Sequence, residues 1–568
     1  MLQLSIMLNR RTLNEPSPGK LPAKKILTGF LACFVFGLII FDRVGWASVA
    51  QWREDQATNL WLGYTRSPLD LPVGLISSYD IPNPNGLPLL AIALSRLPSL
   101  LSISATLGIV QAGLIIWIVW LVFGATRPAL IILGPLLSSV FLRAISVEFW
   151  GQWLMVAVDL LFFGLAVSYL RRPSVRFLPL MLVVVLLPAS LYLAGIANAL
   201  VFALLFLLLI LFKRPESSSS GWILSAATSL AVLAAILAVT WLPYLRAVEW
   251  EQIGAIFTGK LPWTQKLSAS ALAILRFPRW SVLQWSRGTL APIHQSSPDI
   301  LPPSSGFLIA SLGALQWIQV LLALASLALF FFPLRRFSSA AAPRWQSSLP
   351  ANAWMLALAF SVLSCALSPL LGGSDWTRFE RPDQSIQILP FLIFLWFSTP
   401  FVFDQAAKPF LKRAAAALSA LYVFANLIVG YQVVTSHLNY RGETLSNADV
   451  PLVQKTRAVD YIARDWRQVS ASQSIPVYYD LEGRWPWIND MGRSMNQWYP
   501  APMTTGRSFD YELLRKYGLS NSQEGVQVRN EGEGGYTITY AFQYHGDDPA
   551  ACQHVFGRLL VLKDCPAR

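Results

Sequence analysis

Unbroken apolar runs recur along the chain from residue 26 to residue 434, separated by short polar stretches rich in Arg, Pro or Gly. A hydrocarbon core about 30 Å thick takes about 20 apolar residues of helix to cross. Helix is also the only open-ended structure that satisfies every backbone group in lipid. Runs at 26–43, 104–124, 128–143, 151–170, 177–194, 196–212, 221–242, 306–333, 352–371, 386–403 and 414–434 therefore predict about eleven transmembrane helices. Four polar segments interrupt or follow them: a first loop at 44–103, a Trp- and Pro-rich loop at 243–305, a short charged loop at 372–385, and a tail at 435–568. Within the tail the pattern predicts a helix over 450–468 and strands over 475–480 and 555–563. The fold class expected is an all-α polytopic membrane bundle (26–434) behind a short N-terminal stretch (1–25), with a small C-terminal α/β domain (435–568).

Composition agrees with a membrane body. Hydrophobic residues make up 54% and charged residues 13%, about half the charge of a soluble domain, and mean hydropathy is +0.48. The formal charge of +13 forms no single patch, which excludes a nucleic-acid partner. It lies in short clusters: Arg10, Arg11, Lys20, Lys24 and Lys25; Arg127; Arg171, Arg172 and Arg176; Lys213 and Arg214; Arg335, Arg336 and Arg344; Lys408, Lys412 and Arg413. With about eleven spans every cluster falls on one side, which the positive-inside rule makes the cytoplasm. The N-terminus is then cytoplasmic, the C-terminus and the four polar segments are not, and the membrane is the plasma (inner) membrane. Ala47-Ser48-Val49-Ala50 also resembles a signal-cleavage site, and either reading leaves the first loop outside.

Cys33 and Cys365 sit inside apolar runs and read as packing residues. Cys552 and Cys565 stand in an otherwise cysteine-free tail, where an exported location permits a disulfide between them. A metal site shared with His545 and His554 has spacing that matches no zinc pattern.

Candidate chemistry lies in the polar segments. The first loop begins Gln51-Trp52-Arg53-Glu54-Asp55-Gln56-Ala57-Thr58-Asn59. An Asp just beyond a span can accept a proton or bind a cation, and it can equally be a solvated surface charge. Next come Ile81-Pro82-Asn83-Pro84-Asn85-Gly86-Leu87-Pro88, whose prolines and glycine break a helix, and then Arg96-Leu97-Pro98-Ser99 at the start of the second span. Glu148 occupies a turn between the third and fourth spans beside Phe149 and Trp150, a poor place for an idle carboxylate; an ion pair with Arg143 is the alternative. Asp159, about ten residues into the fourth span, has to face protein or water rather than lipid. Arg378 and Arg381 precede the run that contains Ile388-Leu389-Pro390. A guanidinium there suits a phosphate, and also suits snorkelling at a helix end. Trp250, Trp263, Trp280 and Trp285, with Arg276, Arg279 and Arg287, suit an interfacial helix or stacking on a sugar ring. No Gly-rich strand-to-helix loop for a nucleotide occurs, which fits a lipid-linked donor better than a soluble nucleotide sugar.

The order of these motifs resembles the GT-C glycosyltransferases, in particular the branch of protein mannosyltransferases and lipid A aminoarabinose transferases. The likeness is clearest over residues 26–125. It implies transfer of a sugar from a polyprenyl-phosphate or polyprenyl-diphosphate donor to an acceptor outside the cytoplasm. Asp55 would be the general base with Glu54 beside it, Glu148 the second acid, Arg378 or Arg381 the cation on the leaving phosphate, and Asn59 a substrate contact. A divalent cation on Asp55 and Glu148 is the candidate cofactor. Gln56 departs from the pattern, because the family usually has Glu there. Two rival readings are a transporter or flippase, for which the inverted halves with paired broken helices are missing, and a catalytically inactive relative that serves as an assembly subunit.

Overall fold

The computed structural model describes residues 23–50, 52, 54–71, 73–75, 82–215, 219–249, 251, 262–275, 303–334, 348–371, 386–403, 409–439, 450–480, 507–522, 535–540, 553–557 and 559–563. The chain divides into two compact units, Met1–Asp42 and Arg43–Arg568. Helix α1 (Ala23–Ser48) begins in the first unit, where Phe34, Val35, Phe36, Leu38 and Phe41 are exposed, as lipid-facing residues are. The second unit opens with α2 (Glu54–Thr65), α3 (Gly86–Leu94), α4 (Leu100–Phe123), α5 (Arg127–Ser138), α6 (Val140–Ser146) and α7 (Gly151–Arg171). It continues through α8 (Phe177–Leu191), α9 (Ile196–Phe212), α10 (Ser219–Ile236), α11 (Leu242–Ala247), α12 (Trp263–Leu275) and α13 (Pro303–Leu334). Then come α14 (Leu349–Leu371), α15 (Leu389–Val402) and α16 (Pro409–Asn439).

Six described helices are long and apolar enough to cross a membrane, or seven if α5 and α6 count as one bent span. The chain is a multi-pass membrane protein. Each predicted apolar run is helical, but α8, α9 and α15 are shorter than a full crossing. Fifteen residues of α8 reach only about 22 Å. Pro188 stands near the end of α8, and a single 3₁₀ turn, Leu193–Gly195, separates it from α9. The run at 128–143 does not form one straight helix, since α5 and α6 meet at 59°. At the break, the Val140 amide donates to Asn426 Oδ1 (3.0 Å) instead of continuing the helical ladder.

Helix α15 is buried almost along its whole length, as a helix apolar on every face must be. It packs against α5, α13, α14 and α16. By contrast α10 is mostly exposed apolar surface, suited to lipid. A π-helical turn, Leu237–Trp241, carries α10 into α11.

The tail holds α17 (Leu452–Val469), β1 (Ser474–Ile475), β2 (Val477–Asp480), α18 (Arg507–Tyr517), β3 (Ser520–Asn521), β4 (Tyr536–Tyr540), β5 (Gln553–Phe556) and β6 (Leu559–Lys563). β1 pairs with β3 in parallel, and a four-stranded sheet has the order β2-β4-β6-β5. In it β2 and β4 are parallel, while β4–β6 and β6–β5 are antiparallel. The single strand expected over 555–563 is instead a hairpin. Gly557, at φ 63°, takes the left-handed turn that a side chain resists. Ala458, Val459, Ile462 and Ala463 of α17 join Val477, Ile538, Leu559 and Val561 of the sheet in one apolar core.

Candidate functional site

Residues from three distant parts of the chain build the first polar turn after α1. Ser48 Oγ donates to the Gly45 carbonyl (2.6 Å). The amides of Val49 and Ala50 return to the carbonyls of Trp46 and Ala47 (3.2 Å each). Trp52 then takes φ 46°, a left-handed conformation uncommon for a bulky residue. Its Nε1–H donates to Ser104 Oγ on α4 (2.6 Å). Its ring stacks on Phe149, with centroids 6.2 Å and planes 21° apart. Its carbonyl accepts a hydrogen bond from Lys455 Nζ on α17 (3.1 Å), and the Leu452 amide donates to the Ala50 carbonyl (3.0 Å). Trp52 is fully buried. Such a conformation costs on the order of 1–3 kcal/mol and persists only where the surroundings over-determine it.

Two residues later α2 begins. Glu54 and Asp55 form its first turn, a position where exposed helix amides favour a carboxylate; their side chains lie outside the described residues. Gln56, Thr58 and Asn59 are buried, and Asn59, four residues after Asp55, shares its stripe of the helix.

Helix α2 is clamped on two sides. Against α3, a Cβ on Gly63 would stand 2.7 Å from Ala91 Cβ and 2.8 Å from the Ala91 carbonyl carbon, so glycine alone allows that approach. Against α18, the buried Arg507 guanidinium lies over the Trp61 ring at 4.7 Å, and Tyr511 meets Tyr64 edge-on at 6.0 Å. Arg515 reaches past α2 and donates to the carbonyls of Ser95 (2.7 Å) and Arg96 (2.9 Å). The Arg96-Leu97-Pro98-Ser99 segment is thus tied to the tail. At its end Ser99 and Ser102 form a reciprocal capping box for α4, and the Leu100 amide donates to Glu512. Burial pushes the Glu512 carboxyl up to about 7, against the pull of that amide.

Glu148 is buried in the turn between α6 and α7, with its amide on the Ile145 carbonyl (3.4 Å). Phe149, next in sequence, supplies the ring under Trp52. The turn holding Glu148 and the turn preceding Asp55 are thereby stacked on each other. Arg143 donates to the Asn426 carbonyl (2.7 Å) and lies over the Trp46 ring (5.2 Å). Among the described residues no three His, Cys, Asp or Glu side chains gather as a metal site.

No family model matches the chain. No curated protein matches it either. Among solved structures it is similar to ArnT from Cupriavidus metallidurans bound to undecaprenyl phosphate, at 11% identity and a TM-score of 0.43, over 94% of this chain and 98% of that one.

Arg378 and Arg381 lie outside the described residues, as do Cys552 and Cys565 and the second-loop residues Trp250, Trp280, Trp285, Arg276, Arg279 and Arg287. Trp263 is an exposed residue of α12, with Lys266 Nζ 5.3 Å from its ring. Asp159 is fully buried and accepts from Asn198 Nδ2 (3.1 Å), which also bonds Gln387 Oε1 (3.0 Å). The asparagines of the Pro-rich segment are structural. Asn85 Nδ2 donates to the carbonyls of Leu71 (2.6 Å) and Val239 (3.1 Å), and Asn83 Oδ1 accepts the Leu193 amide (3.1 Å).

The acids and arginines singled out in the loops do not include Ser104, Lys455, Arg507, Glu512 and Arg515, which hold the site's frame. One local signal marks α18. Asp510 stands in its first turn, Arg515 and Lys516 in its last, and Gly518 at φ 66° ends it, the usual charge and cap pattern of a short helix.

Proposed function

We propose that this protein is an integral-membrane glycosyltransferase that moves a sugar from a polyprenyl-phosphate or polyprenyl-diphosphate donor to an acceptor outside the cytoplasm. The observation that carries the reading is the Trp52–Phe149 stack. It joins two turns about a hundred residues apart, one leading into Asp55 and the other holding the buried Glu148, at one end of the bundle. In the proposed reaction Asp55 takes the proton of the acceptor hydroxyl as its oxygen bonds the anomeric carbon. The bond from that carbon to the phosphate oxygen breaks, and the polyprenyl phosphate leaves with the electron pair. Arg378 or Arg381 meets the charge that develops on phosphate. Glu148 acts as the second acid, and Asn59 contacts substrate. The proposed topology has eleven crossings with a cytoplasmic N-terminus and an exported tail, in which Cys552 and Cys565 are the candidate disulfide.

The test is turnover of a polyprenyl-linked sugar by purified protein in lipid. The change Asp55→Asn keeps shape and removes basicity, and should cost about 10²–10⁴ in rate. Full activity in that variant overturns the role of Asp55. Donor that binds but never turns over with any acceptor points instead to an inactive assembly subunit, a reading that the buried Gln56 favours, since the resembling family has Glu there.

A further inference from the structure

Helix α17 has two working faces. Leu452 and Lys455 face the Ala50–Trp52 turn. About 200° around the axis, Arg457, Asp460, Tyr461, Arg464, Asp465 and Gln468 line, together with Phe556 of β5, an open groove of about 360 Å³.

The groove's charge is not what its composition implies. Asp460 Oδ1 accepts from Lys516 Nζ (2.6 Å) and Tyr517 OH (2.7 Å). Asp465 is bonded by Lys563 Nζ (2.8 Å to Oδ2, 3.0 Å to Oδ1) and by the Tyr536 hydroxyl. Burial works to raise the Asp465 carboxyl, but the bonds from Lys563 and Tyr536 hold it below the usual carboxylate range. Each carboxylate is thus matched by a lysine. The two arginines are not matched in return. Arg464 Nε donates to the Asp460 carbonyl of its own helix (3.2 Å). Neither Arg457 nor Arg464 pairs with a carboxylate among the described residues, and both are exposed. Two surplus guanidinium charges therefore stand two helical turns apart, about 10 Å along the axis, on the groove wall.

Between them lies an aromatic floor. Tyr461 packs on His554 (centroids 4.0 Å) and on Phe556 (5.7 Å). Aromatic faces take the C–H side of a pyranose ring, planar guanidinium forks take phosphate or carboxylate oxygens in pairs, and Gln468 offers a donor and an acceptor for hydroxyl groups. We propose that this groove is a binding site for an anionic saccharide, a sugar carrying a phosphate or carboxylate, separate from the turn at Trp52. The surplus positive charge sets the sign of the ligand, the Tyr461 and Phe556 side chains on the lining suit the C–H face of a ring, and the volume admits one or two sugar residues.

The experiment is calorimetric titration of the full-length protein in detergent with glucose 6-phosphate, glucuronate, glucose and inorganic phosphate, each on wild type, on Arg457→Ala/Arg464→Ala, on Phe556→Ala and on Asp55→Asn. Both arginines are exposed, so the double variant keeps the fold. Glucose 6-phosphate or glucuronate should bind the wild type and the Asp55→Asn variant alike. Affinity should fall at least about tenfold on losing the arginines, fall on Phe556→Ala, and be far weaker for glucose. Whichever of the two anionic sugars binds more tightly identifies the acidic group. Four results each overturn the proposal: no binding of either anionic sugar at 10 mM on the order of the weakest useful affinity, equal binding after loss of both arginines, inorganic phosphate binding as tightly as glucose 6-phosphate, or loss of binding in Asp55→Asn.

Discussion

Lys455 Nζ donates to the carbonyl oxygen of Trp52 at 3.1 Å, across 403 residues of chain. Both residues are buried. The ammonium fixes a carbonyl that the left-handed conformation of Trp52 turns away from any helical partner, and it does so two residues before the acidic turn of α2. The tail is thus part of the frame around Asp55.

Removing that ammonium should loosen the turn. In Lys455→Met the Trp52 carbonyl loses its donor, at a cost of about 1–3 kcal/mol. Hydrogen exchange of the amides from Trp52 to Leu60 should quicken by about tenfold or more. Lys455→Gln retains a donor and should restore part of the protection. Unchanged exchange in the Met variant would remove Lys455 from the frame, whatever reaction the protein carries out.

The indole hydrogen bond to Ser104 is a second hold on the same residue. Ser104→Ala leaves a buried N–H without its acceptor, and Trp52→Phe removes the donor but keeps a ring on Phe149. Each should lower stability by about 1–3 kcal/mol. The double variant should cost less than the sum of the two, because the second change has no hydrogen bond left to break. Additive losses in thermal unfolding would show that the bond contributes nothing of its own.

Gly63 sets the spacing of α2 from α3. A methyl group there meets both Ala91 Cβ and the Ala91 backbone carbon, so Gly63→Ala should cost about 1–3 kcal/mol and lower proposed activity with it. Ala91→Gly added to it removes only the side-chain part of the clash, so rescue should be incomplete. A fully stable Gly63→Ala single variant would mean that α2 can shift without penalty.

Glu512 makes the docking of α18 pH-dependent. Its ordinary carboxyl value near 4.5 rises on burial to about 7 in the folded protein. A raised acid value means that the folded state holds the proton more tightly than the unfolded one. This stabilisation is complete below about pH 4.5 and is lost as pH rises through about 7, a span worth about 3 kcal/mol. Lys516 and Asp460 modulate it in opposite directions. Melting of the wild type should therefore fall between pH 5 and 8 relative to Glu512→Gln, which can still accept the Leu100 amide but carries no proton equilibrium. Parallel pH profiles for the two proteins would rule Glu512 out as the source.

The sequence is most readable where one residue's neighbours along the chain decide its structure. Apolar runs such as 104–124 and 414–434 become α4 and α16 because lipid leaves the backbone no alternative to helix. The tail helix over 450–468 follows from the spacing of Ala458, Val459, Ile462 and Ala463. Acid and aromatic residues at 54–59 and 148–150 are visible as unusual by type alone. At the bend after Ser139, Pro135 and the Ser138-Ser139 pair are visible locally, but the partner that receives the freed Val140 amide, Asn426, lies 286 residues away. The hairpin at Gly557 does have a local mark, a two-residue Gly-Arg step between the paired Phe556 and Leu559, which the apolar run over 555–563 masks.

What the sequence alone determined is the kind of chain this is: a membrane body of apolar helices with polar segments gathered between them, since hydropathy and helix length are sums over neighbouring residues. Only the tertiary structure decided which polar residues serve as scaffold. Asn83 and Asn85 turned out to bond backbone, Arg507 and Arg515 to hold α2 and the Arg96–Ser99 segment, and Lys455 to hold Trp52. A hydrogen bond is satisfied by whichever donor the fold brings within about 3 Å, and separation along the chain carries no information about that distance.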